Sequence, residues 1–252
     1  YIKNFGFSSK TGLDVYGESA GIMINEADAK RVDIARIGFG QAISVTPIQL
    51  VTAVAAAING GELMTPYLLK EVSSTETDSI TGESVKKVIY TNEPTVVRQV
   101  ISEETSKTMR KVLQSVVDNG SGKNAQVPGY AVGGKTGTAQ KYEDGKIAVG
   151  KYVASFIAFA PADDPQYLVF FAVDEPVAGS IYGSTIAAPH VQKILEDILK
   201  YAGIAPTEEV ETDEIEVSDV TGLSPEEAEA GLIDKGFTVQ IEGSGNVISA
   251  QA

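Results

Sequence analysis

Residues 129–140 read GYAVGGKTGTAQ, and two incompatible folds can be drawn through them. From Gly129 the stretch satisfies G-x-x-x-x-G-K-[ST], a loop whose backbone N–H groups cradle phosphate at the start of a helix. Read one step further along, Lys135-Thr136-Gly137 is a K-T-G triad, which puts a lysine and a hydroxyl on an extended strand. The question is whether this lysine holds a phosphate or a carboxylate.

The neighbours decide. A phosphate loop leaves a buried strand and runs directly into a helix. Here residues 120–128, GSGKNAQVP, are polar and end in proline. After Thr136 come Gly137, the β-suited Thr138 and a charged turn at Glu143-Asp144-Gly145, with no helix to supply a dipole. LVFFAVDE at 168–175 does resemble a Mg²⁺-holding strand, 38 residues from Thr136 to Asp174, but it does not provide the missing helix. A phosphate-loop nucleotide hydrolase is therefore the remote alternative. The strand reading uses every residue. Gly133-Gly134 permit close backbone approach, and Lys135, Thr136, Gly137 and Thr138 on a strand edge offer one cation, two hydroxyls and N–H groups. Such a set suits the carboxylate and carbonyl of an extended peptide. Residues 133–140 should then pair antiparallel with a strand inside 151–160.

The chain has 252 residues, 43% of them hydrophobic, 10 prolines and no cysteine. It can build a sizeable core, and disulfides, Cys-ligated metals and a Cys nucleophile are excluded. No run approaches the roughly 18 apolar residues of a membrane span, and no signal-peptide pattern opens the chain. An opening in YIKNFGFSS without Met reads as part of a longer polypeptide. The net charge of −14 is uneven: residues 206–252 carry 12 acids and one lysine, whereas 1–205 carry 22 acids and 19 bases. Neither part has the basic footprint of a nucleic-acid binder.

Residues 1–23 read as irregular loops and short strands. SVTPIQLVTAVAAAINGG (44–61) is a helix capped by Thr46, with Gln49 three residues on, Pro47 at its start and Asn59-Gly60 at its end. Residues 65–94 form a polar hairpin turning near Thr81-Gly82-Glu83. Residues 102–120 make a second helix capped by Ser102, with a stripe of Met109, Val112, Leu113, Val116 and Val117. Residues 151–176 hold two apolar strands split at Asp163-Asp164 between prolines. A third helix at 188–204 faces inward through Val191, Ile194, Leu195, Ile198 and Leu199. Grouped helices and antiparallel strands make this an α+β fold. An acidic linker at 205–214 precedes a strand–helix–strand pattern at 215–252, its helix capped by Ser224 with Pro225 following.

FGFSSKTGLDVYGESAG, GFGQAISVTPIQLVTAVAAAINGG, GGKTGTAQ, ASFIAFAPADDPQYLVFFAVDEP and YGSTIAAPHV follow the order and spacing seen in class B penicillin-binding proteins. The resemblance covers residues 1–204 and implies the C-terminal part of a transpeptidase domain of the penicillin-binding-protein and serine β-lactamase type, an antiparallel sheet flanked by helices. The tail at 215–252 resembles the start of a PASTA domain, a β-α-β module, incomplete here. The family places three motifs at its site: S-x-x-K with the nucleophile, S-x-N, and K-T-G. Only the third fits. SVKK (84–87) lies in a polar hairpin and SGN (244–246) in the acidic tail, so both match by chance.

The resemblance implies a serine enzyme that cross-links peptidoglycan stem peptides ending in D-Ala-D-Ala and is acylated by β-lactam antibiotics. It implies no metal and no cofactor, an extracytoplasmic and membrane-anchored parent, and cell-wall synthesis proteins as possible partners. In this frame Lys135 is the catalytic cation, Thr136 and Thr138 bind the substrate carboxylate, and the Thr138 N–H forms half an oxyanion hole beside Gly137. The chain alone is expected to be inactive. The competing class is a non-catalytic cell-wall or protein-binding module, which penicillin labelling discriminates. His190, at a helix start beside Pro189, reads as structural, and Asp174-Glu175 as a strand end.

Overall fold

The computed structural model describes residues 1–77, 82, 84–143, 146–177, 179–207, 217–235, 237 and 239–249. They divide into two units, Tyr1–Glu209 and Val210–Ala252. The first contains α1 (Arg31–Gly38), α2 (Pro47–Ile58), β1 (Glu62–Thr65), β2 (Glu71–Thr77), β3 (Ser84–Thr91), β4 (Thr95–Gln99), α3 (Glu103–Asp118), β5 (Gly133–Glu143), β6 (Lys146–Ala160), β7 (Tyr167–Asp174), α4 (Gly183–Ile186) and α5 (Ala188–Tyr201). The second contains α6 (Pro225–Ile233). No helix among the described residues is long and apolar enough to cross a membrane.

The core is built on one antiparallel sheet in the order β5-β6-β7. β6 is its middle strand, and 154–160, ASFIAFA, is nearly continuously apolar because helices cover both faces. On one face Phe156, Ala158 and Ala160 pack with Val191, Leu195 and Leu199 of α5. On the other, Phe159 packs with Ile58 of α2 and Leu113 of α3.

The helix punctuation works as the sequence predicts. Thr46 and Gln49 form a reciprocal capping box with Pro47 in the first turn of α2, and the Ser102 side chain accepts from Thr105 N–H. The predicted α3 stripe is narrower than its sequence suggests. Val117 is buried and Leu113 partly so, but Val112 is 52% exposed. The inward line runs instead through Ser106, Leu113 and Val117. A small side chain at Ser106 lets the end of α2 come close enough for the hydroxyl to donate to Ala57 O at 2.9 Å and accept from Gly60 N–H at 3.0 Å. In α5, Val191, Leu195 and Leu199 are buried, with Ile194 and Ile198 flanking them.

Residues 1–23 are turns and loops; Ile22 makes one isolated bridge to Ser44. Helix α1 buries no residue, and its Val32 and Ile34 are exposed. The predicted hairpin is β2 with β3; Thr81 and Glu83 of its turn lie outside the described residues. β1 and β4 pair antiparallel around it, making a nested pair of hairpins.

In the second unit α6 forms as predicted, with a capping box between Ser224 and Glu227. The two flanking strands of the 215–252 reading do not appear among the described residues. Among the described residues there, Val220 and Ala228 are the buried hydrophobics. Gly222 N–H instead donates to Ile248 O, and Ile248 N–H to Leu223 O, both at 2.8 Å.

Candidate active-site strand

The quoted stretch is a strand. β5 pairs antiparallel with β6 from Gly133↔Phe159 through Gln140↔Tyr152, inside the predicted span. No helix begins at Lys135 or Thr136, so the phosphate-loop reading is wrong: a cradle needs a helix N-terminus here, and the chain stays extended to Glu143.

Each glycine of the motif has a steric cause. A Cβ on Gly133 would run into the Phe159 ring. One on Gly134 would lie 2.7 Å from Phe156 Cε1 and 2.8 Å from Ile157 O. The two core phenylalanines, one on each face, therefore require both glycines. At Gly137 a Cβ would collide with the Ser155 hydroxyl on the neighbouring strand.

The lead-in is pinned as well. Ala131 O accepts from Ala162 N–H at 2.8 Å, and Ala131 N–H donates to Thr207 Oγ1 at 2.8 Å. Tyr130 OH donates to Ile204 O at 2.7 Å.

Strand alternation sets the directions of the site residues. Lys135 and Gly137 share the face of Gly133 and Phe159; Thr136 and Thr138 share the face of Gly134 and Phe156. Lys135 is exposed, and its ammonium donates to Thr136 O at 3.1 Å and Thr136 Oγ1 at 3.4 Å. No carboxylate lies within 4.0 Å of it among the described residues. Thr136, Gly137 and Thr138 are partly buried, and β5 pairs only with β6, so its outer edge carries no strand among the described residues. The arrangement can present a cation, hydroxyl donors and edge N–H groups to an extended anionic peptide.

Beyond the motif, the register slips between Gln140 and Tyr142, and Lys141 at that bulge reaches across β6 to the end of β7. Its ammonium donates to Glu175 Oε1 at 2.7 Å and Asp174 Oδ2 at 2.9 Å. These bonds, Glu175 first, hold Lys141 up at about 12, and Lys141 in turn holds Glu175 below the usual carboxylate range. Asp174-Glu175 thus do end a strand, but they are committed to a lysine that sequence reasoning passed over. The available signal was an acidic pair closing an apolar strand, which seeks a cation on a neighbour.

The other candidates sit elsewhere. His190 lies in the first turn of α5, its ring 4.9 Å from that of Phe171. Ser84 and Lys87 lie on exposed β3, where residues three apart point to opposite faces and cannot form a serine–lysine pair. Lys86 and Lys87 are instead bound to Glu71 at 2.5 Å and Glu76 at 3.0 Å. Ser244 and Asn246 fall in the second unit, outside any helix or strand.

The sheet thus lies between two helical layers, with an exposed lysine and partly buried threonines on its edge strand. The family model described as the penicillin binding protein transpeptidase domain matches residues 1–196, and the chain belongs to that family. It is 46% identical to Stage V sporulation protein D of Bacillus subtilis over 260 residues, all of this chain and 39% of that protein. It is 32% identical to the probable peptidoglycan D,D-transpeptidase PenA of Neisseria gonorrhoeae, over 76% of this chain and 30% of that one. The chain thus spans less than half the length of these relatives. Among solved structures, the transpeptidase domain of Burkholderia pseudomallei penicillin-binding protein 3 superimposes with a TM-score of 0.68 at 30% identity, covering 82% of this chain and 58% of that one. Penicillin-binding protein 3 of Mycobacterium tuberculosis in complex with ampicillin gives 0.69 at 27% identity, covering 84% and 47%.

Proposed function

We propose that this chain supplies the substrate-binding strand of a serine-type peptidoglycan D,D-transpeptidase, whose nucleophile comes from polypeptide outside these 252 residues. The observation that carries it is the exposed Lys135 ammonium, free of carboxylates among the described residues, beside the Thr136 hydroxyl on an open strand edge. An extended stem peptide ending in D-Ala-D-Ala lies along β5. Its terminal carboxylate meets the Thr136 and Thr138 hydroxyls, and its scissile carbonyl oxygen meets the Thr138 N–H. A serine oxygen attacks the penultimate carbonyl carbon, the C–N bond breaks, and the terminal D-Ala leaves with the proton on its amine. An amine of a second stem peptide then displaces the serine. Lys135 favours the negative charge that develops in the attack. β-Lactams carry the same carboxylate and acylate the same serine; the ampicillin complex of the mycobacterial relative supports extending this to the present chain.

The same reading places the intact protein on the outer face of a bacterial membrane, anchored by a segment outside this chain, with cell-wall synthesis proteins for company. Residues 215–252 are read as the start of a PASTA-like module. By itself the chain lacks the S-x-x-K and S-x-N residues and is inactive. Fluorescent penicillin is the test: it leaves the purified 252-residue chain unlabelled and labels the product of the complete gene. Stoichiometric label on a serine of this chain would overturn the division of roles. An unlabelled complete product would favour a non-catalytic binding module.

A further inference from the structure

We propose that Gly183 is a positioning residue that aims the Thr138 hydroxyl proton at the carboxylate of the incoming peptide or β-lactam. The proposal rests on the reading of β5 as the substrate strand. Gly183 N–H donates to Thr138 Oγ1 at 3.4 Å, joining residues 45 positions apart in sequence. A hydroxyl has one proton to give and can accept at its lone pairs, whereas a carboxylate only accepts. Once a fixed N–H occupies one side of the Thr138 oxygen, its proton is left for an acceptor on the other side. The same logic holds at Thr136, whose oxygen accepts from the Lys135 ammonium at 3.4 Å. Each hydroxyl of the motif is therefore backed by a donor and turned into a donor itself.

Only glycine can stand at position 183. A Cβ there would collide with Ser155 O and lie 2.6 Å from Gly137 O, so the first residue of α4 is pressed directly onto the Gly137↔Ser155 pair. Gly137 lacks a side chain for the complementary reason, the Ser155 hydroxyl occupying its place. From the far side, Asn124 Nδ2 donates to Ser184 O at 2.8 Å and holds α4 down. The donor behind Thr138 is thus fixed by packing on one side and by a hydrogen bond on the other.

The test compares acylation of the complete gene product by benzylpenicillin and by its methyl ester, which lacks the carboxylate. Gly183→Ala is expected to lower the acid-to-ester ratio of acylation rates on the order of tenfold. Thr138→Ala should collapse the acid-to-ester preference in the same way, and the double variant should lose nothing further. Because a methyl at 183 also presses on the sheet, Asn124→Ala serves as the second variant, with a smaller loss of the same preference and an unaltered melting temperature. Equal slowing of acid and ester by both variants, or losses that add to those of Thr138→Ala, would show that Gly183 serves packing alone. If Thr138→Ala itself leaves the preference intact, the reading of β5 fails and this proposal falls with it.

Discussion

Gln49 Nε2 donates to Ser9 O at 2.7 Å, linking the second helix to a loop 40 residues earlier. The same amide nitrogen donates to Ala20 O at 2.9 Å, and Oε1 accepts from Thr46 N–H at 2.9 Å. The side chain is only 1% exposed. One residue thus caps its own helix and holds down a segment that contains no helix or extended strand.

Gln49→Leu keeps the volume and takes this partner from three backbone groups, Ser9 O, Ala20 O and Thr46 N–H, in part-buried hydrogen bonds. A lost partner costs about 1–3 kcal/mol for a fully buried group, and these are only partly covered, so a total destabilisation of about 1–3 kcal/mol is expected, measured by urea unfolding. Hydrogen exchange should show lost protection at Gly21 and Ile22 with little change in β6. Uniform behaviour across the chain would mean that the loop is held by something else.

Lys135→Ala in the complete gene product should slow acylation by penicillin roughly a hundred- to a thousandfold, the effect of losing one transition-state electrostatic contact of about 2.7–4 kcal/mol. Thr138→Ala keeps its N–H and loses only a hydroxyl, so it should weaken recognition by about 0.5–3 kcal/mol. Lys135 is exposed, and the melting temperature should barely move on its substitution, whereas Thr138→Ala, which also takes the partner from Gly183 N–H, should lower it slightly. A folded Lys135→Ala variant that acylates at the wild-type rate would remove this lysine from the site.

The Lys141 bridge carries a pH signature. Its folded pKa is raised from 10.5 to about 12, so its contribution is complete below 10.5 and is lost as pH rises toward 12. Glu175 is lowered from 4.5, so its contribution is complete above 4.5 and is lost as pH falls through the depressed value. The melting-temperature difference between wild type and Lys141→Met should therefore be flat from 4.5 to 10.5 and shrink on either side. It should also shrink in high salt, because the pair is partly exposed. A difference independent of both pH and salt would mean that the lysine acts through packing alone.

Gly134→Ala should destabilise by about 1–3 kcal/mol, the usual penalty for forcing an extra carbon into a packed core. The added methyl meets Phe156 and the Ile157 carbonyl, both on the middle strand. Phe156→Leu in the same chain should recover part of the loss by vacating that space. No recovery would place the strain on the Ile157 carbonyl instead.

Local signals were legible because they act over a few residues. Thr46 with Gln49, Ser102, Ser224 and Pro225 announce helix starts through hydrogen bonds made within one turn. The proline before Gly129 and the β-suited run after Thr136 were enough to reject a phosphate cradle. The apolar run at 154–160 declared a strand. The K-T-G motif and its flanking segments were likewise readable, since the motif's glycines and lysine are adjacent in the chain.

What the chain order could not carry is which distant groups meet. The facing of Gly183 and Thr138, the reach of Lys141 to Asp174 and Glu175, and the grip of Gln49 on Ser9 all depend on the register of β5, β6 and β7 and on how closely helices approach them. Val112 shows the same limit, apolar by type yet turned to solvent, while the polar Ser106 of the same helix is buried and bonds to Ala57 O of α2. Periodicity and capping, being local, are written in the order of residues; contact between segments is settled by packing, where excluded volume at single glycines decides what can approach.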